Sequence, residues 1–209
     1  MVSKWAFEGL AVNQFKNNKF NKQFYYVDKD LKQASFRKNF WLTSLKDKVN
    51  YLKRHKDNKD HLEEIENGLK LLSNEIRKEN QLNSEIQYDK TENITIENLN
   101  QDLINSLSAY ISDLNSYYIE EYNYYSNKKD KLLKLVQLTD EKKEAYIEMK
   151  NDYTNESLED LVTNKNDFDK IIEWKNELIQ RADPIYKDPN GFRSHFLAPS
   201  KKLFGVNIT

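Results

Sequence analysis

Three histidines, His55, His61 and His195, have the most chemistry to offer in this sequence, and their spacing argues against a metal site. There is no His-Glu-x-x-His and no Glu-x-x-His, so no helix would present two such ligands on one face. His55 and His61 fall in a charged run and read as surface residues, and His195, between Ser194 and Phe196, reads as a packing or capping residue. The carboxylate pairs Glu63/Glu64 and Glu120/Glu121 are chain neighbours and splay around a helix, whereas acid–base catalysis needs both groups in one cleft. No Gly-x-x-x-x-Gly-Lys loop is present to cradle a phosphate. Cysteine is absent, which removes disulfides, thiolate metal ligands and cysteine nucleophiles together. These patterns predict no catalytic, cofactor-binding or metal-binding residues in this chain.

Aromatic side chains are the other resource. The run Tyr117-Tyr118-Ile119-Glu120-Glu121-Tyr122-Asn123-Tyr124-Tyr125 places rings on more than one face of a helix, so they cannot all enter one core. Tyr118, Tyr122 and Tyr125 are therefore candidates for a partner surface, against the plainer reading that they bridge a thin core and water. Local basic clusters at Lys53-Arg54-His55-Lys56 and Lys128-Lys129-Asp130-Lys131 are diluted by acids. With 33 Lys and Arg against 34 Asp and Glu there is no global field to gather polyanions, and nucleic acid is a poor partner.

Charged residues make up 32% and hydrophobic ones 38%, a balance near that of disordered chains, but 13 Tyr, 10 Phe and 3 Trp argue for a packed body. Only four Gly and three Pro punctuate the chain, which makes long helices the default. Leu31, Ala34, Trp41, Leu42, Leu45, Val49 and Leu52 keep helical steps, and Leu62, Ile65, Leu69, Leu72 and Ile76 continue a heptad-like seam. Residues 53–60 read either as a loop or as an exposed stretch of one helix. Residues 81–96 read as a connection, and a second amphipathic run follows from Leu99 to Val136. Thr139 or Asp140 is suited to cap one shorter helix, and Asn155 or Ser157 to start another. Asp167 is suited to begin one carrying Ile171, Ile172, Trp174, Leu178 and Ile179 until Pro184 stops it.

The expected fold is all-α, an elongated antiparallel helical hairpin or bundle with an irregular C-terminal segment packed at its base. It forms one domain over 1–209: a base segment (1–27), long helical arms (28–80 and 97–138), shorter helices (139–183) and a closing tail (184–209). Residues near 1–25 and 184–209 are expected to meet.

The opening residues Ser3, Trp5, Ala6, Phe7, Leu10, Asn13 and Phe15 resemble the segment that follows the fifth membrane helix in permeases of ABCG-like ABC exporters. Lys4 stands in place of the usual Arg, and Gly9 where Ala is commoner. The closing words Ala182-Asp183-Pro184-Ile185-Tyr186-Lys187-Asp188-Pro189 and Ala198-Pro199-Ser200-Lys201-Lys202-Leu203-Phe204-Gly205 resemble a bacterial version in which a long helical region fills the loop before the last membrane helix. The resemblance implies an extramembrane insert on the periplasmic or external side of the inner membrane. It would be a lid, stalk or docking arm of a transporter that works as a dimer and binds ATP in a separate domain. Its partners would be the remainder of the parent polypeptide and its dimer mate. Phe7, Leu10, Ala11 and Phe15 recur at helical steps and suggest one greasy face. Trp5, Phe7, Leu10 and Phe15 are then candidates for the membrane-proximal contact, with Asp183, Pro184 and Tyr186 closing against it. The alternative is a free-standing cytoplasmic coiled-coil adaptor, which accounts for the helices but not for the two terminal segments.

Overall fold

The computed structural model describes residues 2–188, 196–199, 201–203 and 206–208. The fold is all-α. Its helices are α1 (Val2–Lys16), α2 (Tyr25–Phe36), α3 (Leu42–His55), α4 (Leu62–Leu82), α5 (Gln101–Val136), α6 (Asp140–Tyr153) and α7 (Glu156–Thr163). Two small antiparallel hairpins follow, β1 (Ile171–Trp174) with β2 (Glu177–Gln180) and β3 (Lys201–Leu203) with β4 (Val206–Ile208). The chain, drawn as one domain from its sequence, gathers its contacts into two compact units. Unit 1 comprises residues 1–35, 121–170 and 181–209; unit 2 comprises 36–120 and 171–180.

In unit 2, α3 and α4 pack together and bury Leu42, Leu45, Val49 and Leu52 on one helix and Ile65, Leu69, Leu72 and Ile76 on the other. Leu62, placed in that seam by its spacing, is 54% exposed, because α4 begins there and the seam starts three residues later at Ile65. Residues 53–60 are not one continuous helix: α3 ends at His55, and a 3-10 turn (Lys59–His61) leads into α4. His55 and His61 are half-buried rather than fully solvated. Their rings lie 4.5 Å apart, and Tyr51 stacks on His55 and bonds His61 Nδ1 across 3.0 Å. In α5, Leu103, Ile104, Leu107, Tyr110, Ile111, Leu114 and Tyr118 form the buried stripe, which stops at Tyr118, short of the run to Val136 expected from spacing. The connection from α4 to α5 is tied down by Asn83, whose Oδ1 accepts from the amides of Glu85 and Ile86, and by Asn80, which bonds both backbone groups of Tyr88.

A single helix does not run from Asp28 to Leu52. A π-helical turn (Arg37–Trp41) separates α2 from α3 and inserts an extra residue into the helical phase. Sequence spacing tolerates either phase, so the offset is invisible until Trp41 is seen buried.

The helix expected over 167–183 is a β-hairpin. Lys175 and Asn176 both take left-handed backbone (φ 52° and 57°), the two-residue turn that suits the twist of paired strands, and Ile171, Ile172 and Ile179 are β-branched. The hairpin is held to α4, where Asn74 Nδ2 donates to the Asn176 carbonyl at 3.1 Å and Lys78 pairs with Glu177 at 3.5 Å. The tail is likewise not wholly irregular, since β3 and β4 pair in register Lys201↔Ile208.

In unit 1, α7 starts at Asn155, whose Oδ1 accepts the Leu158 amide at 2.9 Å. It ends at Asn164 in left-handed conformation, where the Lys165 amide returns to the Asp160 carbonyl. The helix α6 begins at Thr139, whose hydroxyl accepts from the Lys142 amide.

Gly68 is buried in mid-α4, and a methyl group there would meet Leu52 Cδ2 at 3.7 Å, an ordinary contact. Gly68→Ala is therefore expected to stabilise the protein by about 0.5–1 kcal/mol, read as a higher urea midpoint with unchanged slope.

Candidate functional site at the seam of the first helix and the closing segment

Of the α1 face suggested by Phe7, Leu10, Ala11 and Phe15, only Ala11 and Phe15 are buried. Glu8, Ala11 and Phe15, at i, i+3 and i+7, turn inward with Val12 beside them, while Phe7 and Leu10 are 51% and 69% exposed and Trp5 is 55% exposed. The reason is chemical: the closing segment offers an amide that needs an acceptor, and only Glu8 on this helix supplies one there. Leu197 has φ 64°, and its N–H donates to Glu8 Oε1 at 2.6 Å, both residues being buried. One turn earlier on α1, Lys4 places its ammonium 5.2 Å from the centre of the Phe196 ring. Glu8 and Lys4, four residues apart, thus grip successive residues of the closing segment.

Farther along, Phe15 meets Tyr186 edge-on at 6.1 Å, and Tyr25 packs on Tyr186 at 5.5 Å. The Tyr25 hydroxyl donates to the Ile185 carbonyl at 2.8 Å, and Gln33 Nε2 donates to the Tyr186 carbonyl at 3.1 Å. Burial pushes both phenols well above their ordinary acidity range, with the Asp188 charge adding at Tyr25 and the Asp28 charge at Tyr186, so both remain neutral. Ala11, Phe15, Tyr25, Val162, Ile185, Tyr186 and Leu197 form one apolar cluster. Asp183 takes left-handed backbone (φ 50°), its amide reaches the Thr163 carbonyl at 2.9 Å, and Pro184 opens the 3-10 turn that delivers Ile185 and Tyr186. Burial raises the Asp183 carboxyl above its usual range, against the pull of Lys32 at 3.7 Å.

Of the residues singled out from sequence, the structure thus brings together Phe15 and Tyr186, with Asp183 and Pro184 shaping the approach, and leaves Trp5, Phe7 and Leu10 facing solvent. Tyr118 is not surface: it is 7% exposed in the core of unit 2. Tyr122 and Tyr125 are half-buried and belong to unit 1. His195, Pro189, Ser200, Phe204 and Gly205 lie outside the described residues. Glu8, Tyr25, Ile185 and Leu197 were not singled out from sequence. The available signal was the lone acid at i, i+3 and i+7 spacing from Ala11 and Phe15.

A second cluster of polar groups removed from water lies in unit 2. Glu75 and Glu79, one turn apart on α4, are 4% and 0% exposed. Trp41 Nε1 donates to Glu75 Oε2 at 2.8 Å, while Lys78 Nζ (2.8 Å) and the Leu178 amide (3.1 Å) donate to its other oxygen. The Tyr118 hydroxyl donates to Glu79 Oε1 at 2.5 Å. Arg37 Nη1 lies 3.1 Å from Glu79 Oε2 as an ion pair that is off-line for a hydrogen bond, and its guanidinium stacks over Trp41 at 4.5 Å. The Tyr110 phenol nearby is held protonated by burial and by the charge of Glu79. These carboxylates are engaged by protein donors around a packed core, so their chemistry is cohesion. Among the described residues no group of three His, Cys, Asp or Glu side chains is placed to hold a metal ion.

No protein family, curated protein or solved structure matches this chain.

Two substitutions separate these clusters. Arg37→Met leaves Glu79 buried without its cation and is expected to cost about 3–5 kcal/mol in urea unfolding, much of it recovered when Glu79→Leu is added. Glu8→Ala is expected to cost about 1–3 kcal/mol and to speed hydrogen exchange at the Leu197 amide, whereas Glu8→Gln, which keeps an acceptor oxygen, preserves most of that protection.

Proposed function

We propose that this chain is the extramembrane insert of a bacterial ABCG-like ABC exporter permease, carried between the last two membrane helices and acting as an exit-side lid, stalk or docking arm. The observation that carries the reading is the seam of unit 1. An insert between two consecutive membrane helices must leave and return at nearly the same place, and here residues 4, 8, 15 and 25 bind residues 185, 186, 196 and 197 directly. The exposed Trp5, Phe7 and Leu10 suit the boundary between lipid and water, where aromatic rings sit favourably. Among the described residues no helix is long and apolar enough to cross a membrane, so the reading puts the spans elsewhere in the parent polypeptide.

In this role the seam would work as a mechanical tie. A tilt of one flanking membrane helix would pass through α1 to the closing segment, because the buried Glu8–Leu197 hydrogen bond and the Phe15–Tyr186–Tyr25 ring contacts resist separation. ATP would be hydrolysed in another domain. The test is made in the parent polypeptide, with residues 30–180 replaced by a short linker that keeps both seam segments. Export is expected to fall at least tenfold while membrane insertion persists. Undiminished export would reject an active role, and a reading frame without apolar stretches of about 20 residues on both sides would reject the assignment itself.

A further inference from the structure

Two of the three histidines meet in unit 2, on a turn that helical spacing does not describe. His55 closes the last turn of α3, and His61 ends the 3-10 turn (Lys59–His61) that leads into α4. Backbone bonds fix the link between them. The Asn58 amide donates to the His55 carbonyl at 2.9 Å, the Asn58 side chain accepts from the Asp60 amide at 3.0 Å, and the His61 amide returns to the Asn58 carbonyl at 3.3 Å. The two rings are thereby brought to 4.5 Å between centres with their planes 56° apart, so they are not a parallel stack. Both are half-buried and can be reached from solvent.

Tyr51 orders this pair. Its ring packs on His55, one helical turn along α3, at 4.5 Å, and its hydroxyl lies 3.0 Å from His61 Nδ1. With the ring proton on Nδ1, the Tyr51 oxygen accepts it and Nε2 keeps a bare lone pair, which is how a neighbouring acceptor prepares an imidazole to ligate a metal. The surrounding charge does not oppose a cation. Lys53, Arg54, Lys56 and Lys59 are matched by Asp57, Asp60, Glu63 and Glu64, and the Lys56 ammonium is drawn to Gln101 Oε1 on α5 at 3.3 Å. His55 also sits at a helix C-terminus, where the backbone dipole favours positive charge.

We infer that His55 and His61 form a two-imidazole site for a divalent transition-metal ion, copper(II) or nickel(II), with Tyr51 as its positioning residue. An imidazole bound through nitrogen at about 2.0 Å has its ring centre roughly 3 Å from the ion. Two centres 4.5 Å apart then subtend nearly a right angle at that ion, the angle between neighbouring ligands in square-planar or tetragonal coordination. Tetrahedral zinc asks for a wider angle, and calcium and magnesium ask for oxygen ligands. Among the described residues no third His, Cys, Asp or Glu completes a metal-holding group, so water fills the remaining positions. The site lies wholly in unit 2, so its failure and that of the transporter reading are separate events.

The test is calorimetric titration of copper(II) and, separately, of nickel(II) into the 209-residue chain. One ion per chain is expected, with a Kd tighter than about 100 µM. His55→Gln and His61→Gln are each expected to weaken binding by about tenfold or more, and His195→Gln to leave it unchanged. Tyr51→Phe is expected to weaken binding roughly tenfold and to shift the ring-nitrogen resonances of His61, which report the tautomer. Circular dichroism checks that each variant remains folded. Paramagnetic copper(II) should broaden the Asn58 and His61 amide resonances first in the wild type and not in His61→Gln. A Kd weaker than that limit overturns the inference, and so does a His55→Gln or His61→Gln chain that binds as tightly as the wild type. Binding and ring-nitrogen resonances unmoved by Tyr51→Phe overturn the role given to Tyr51.

Discussion

A carboxylate withdrawn from water must be met by donors at fixed positions, and this constraint organises the structure. In unit 2 the acids are Glu75 and Glu79 on α4. Their donors come from the π-helical turn, from α5 and from the amide of Leu178 in β2, so one turn of one helix sets the position of three other elements. Such a network contributes less to net stability than an apolar core of equal volume, but it admits few arrangements. The left-handed turn at Lys175-Asn176 and the extra residue of the π-helical turn belong to that arrangement.

Unit 1 obeys the same rule with one acid. Glu8 holds the Leu197 amide, and the apolar cluster of Ala11, Phe15, Tyr25, Val162, Ile185 and Tyr186 closes beside it. Facing Glu8 inward turns Leu10, two residues on and roughly across the helix, outward, and Phe7 is left at the edge of the buried face. The exposed apolar group at the start of α1 is therefore a consequence of the seam, and it gives the transporter reading its lipid-side contact. The inward face of α1 is thus apolar apart from one buried acid, with Ala11, Val12 and Phe15 beside Glu8.

The sparse core of α6 has a related origin. A chain with 32% charged residues and 38% hydrophobic ones cannot bury a full stripe on every helix. Buried apolar residues are concentrated in α3, α4 and the first part of α5, while α6 buries none and exposes acids and lysines together.

The sequence alone determined the all-α class, the seams of α3, α4 and the first half of α5, the connection over 81–96 and helix starts near Thr139 and Asn155. Each depends on periodicity or on a residue bonding its own neighbourhood, interactions a few residues in span. What tertiary structure decided was every feature that rests on a distant partner. Phe7 and Leu10 lost the buried face of α1 to Glu8 because of an amide 189 residues away. Ile171 to Gln180 became a hairpin because α4 offers Glu75 and Asn74 as partners, where local spacing allowed a helix equally well. Tyr118 left the aromatic surface for the core because Glu79 needed its hydroxyl. Local patterns record which side chains can share a face; which face is buried depends on donors and acceptors that meet only when the chain has folded.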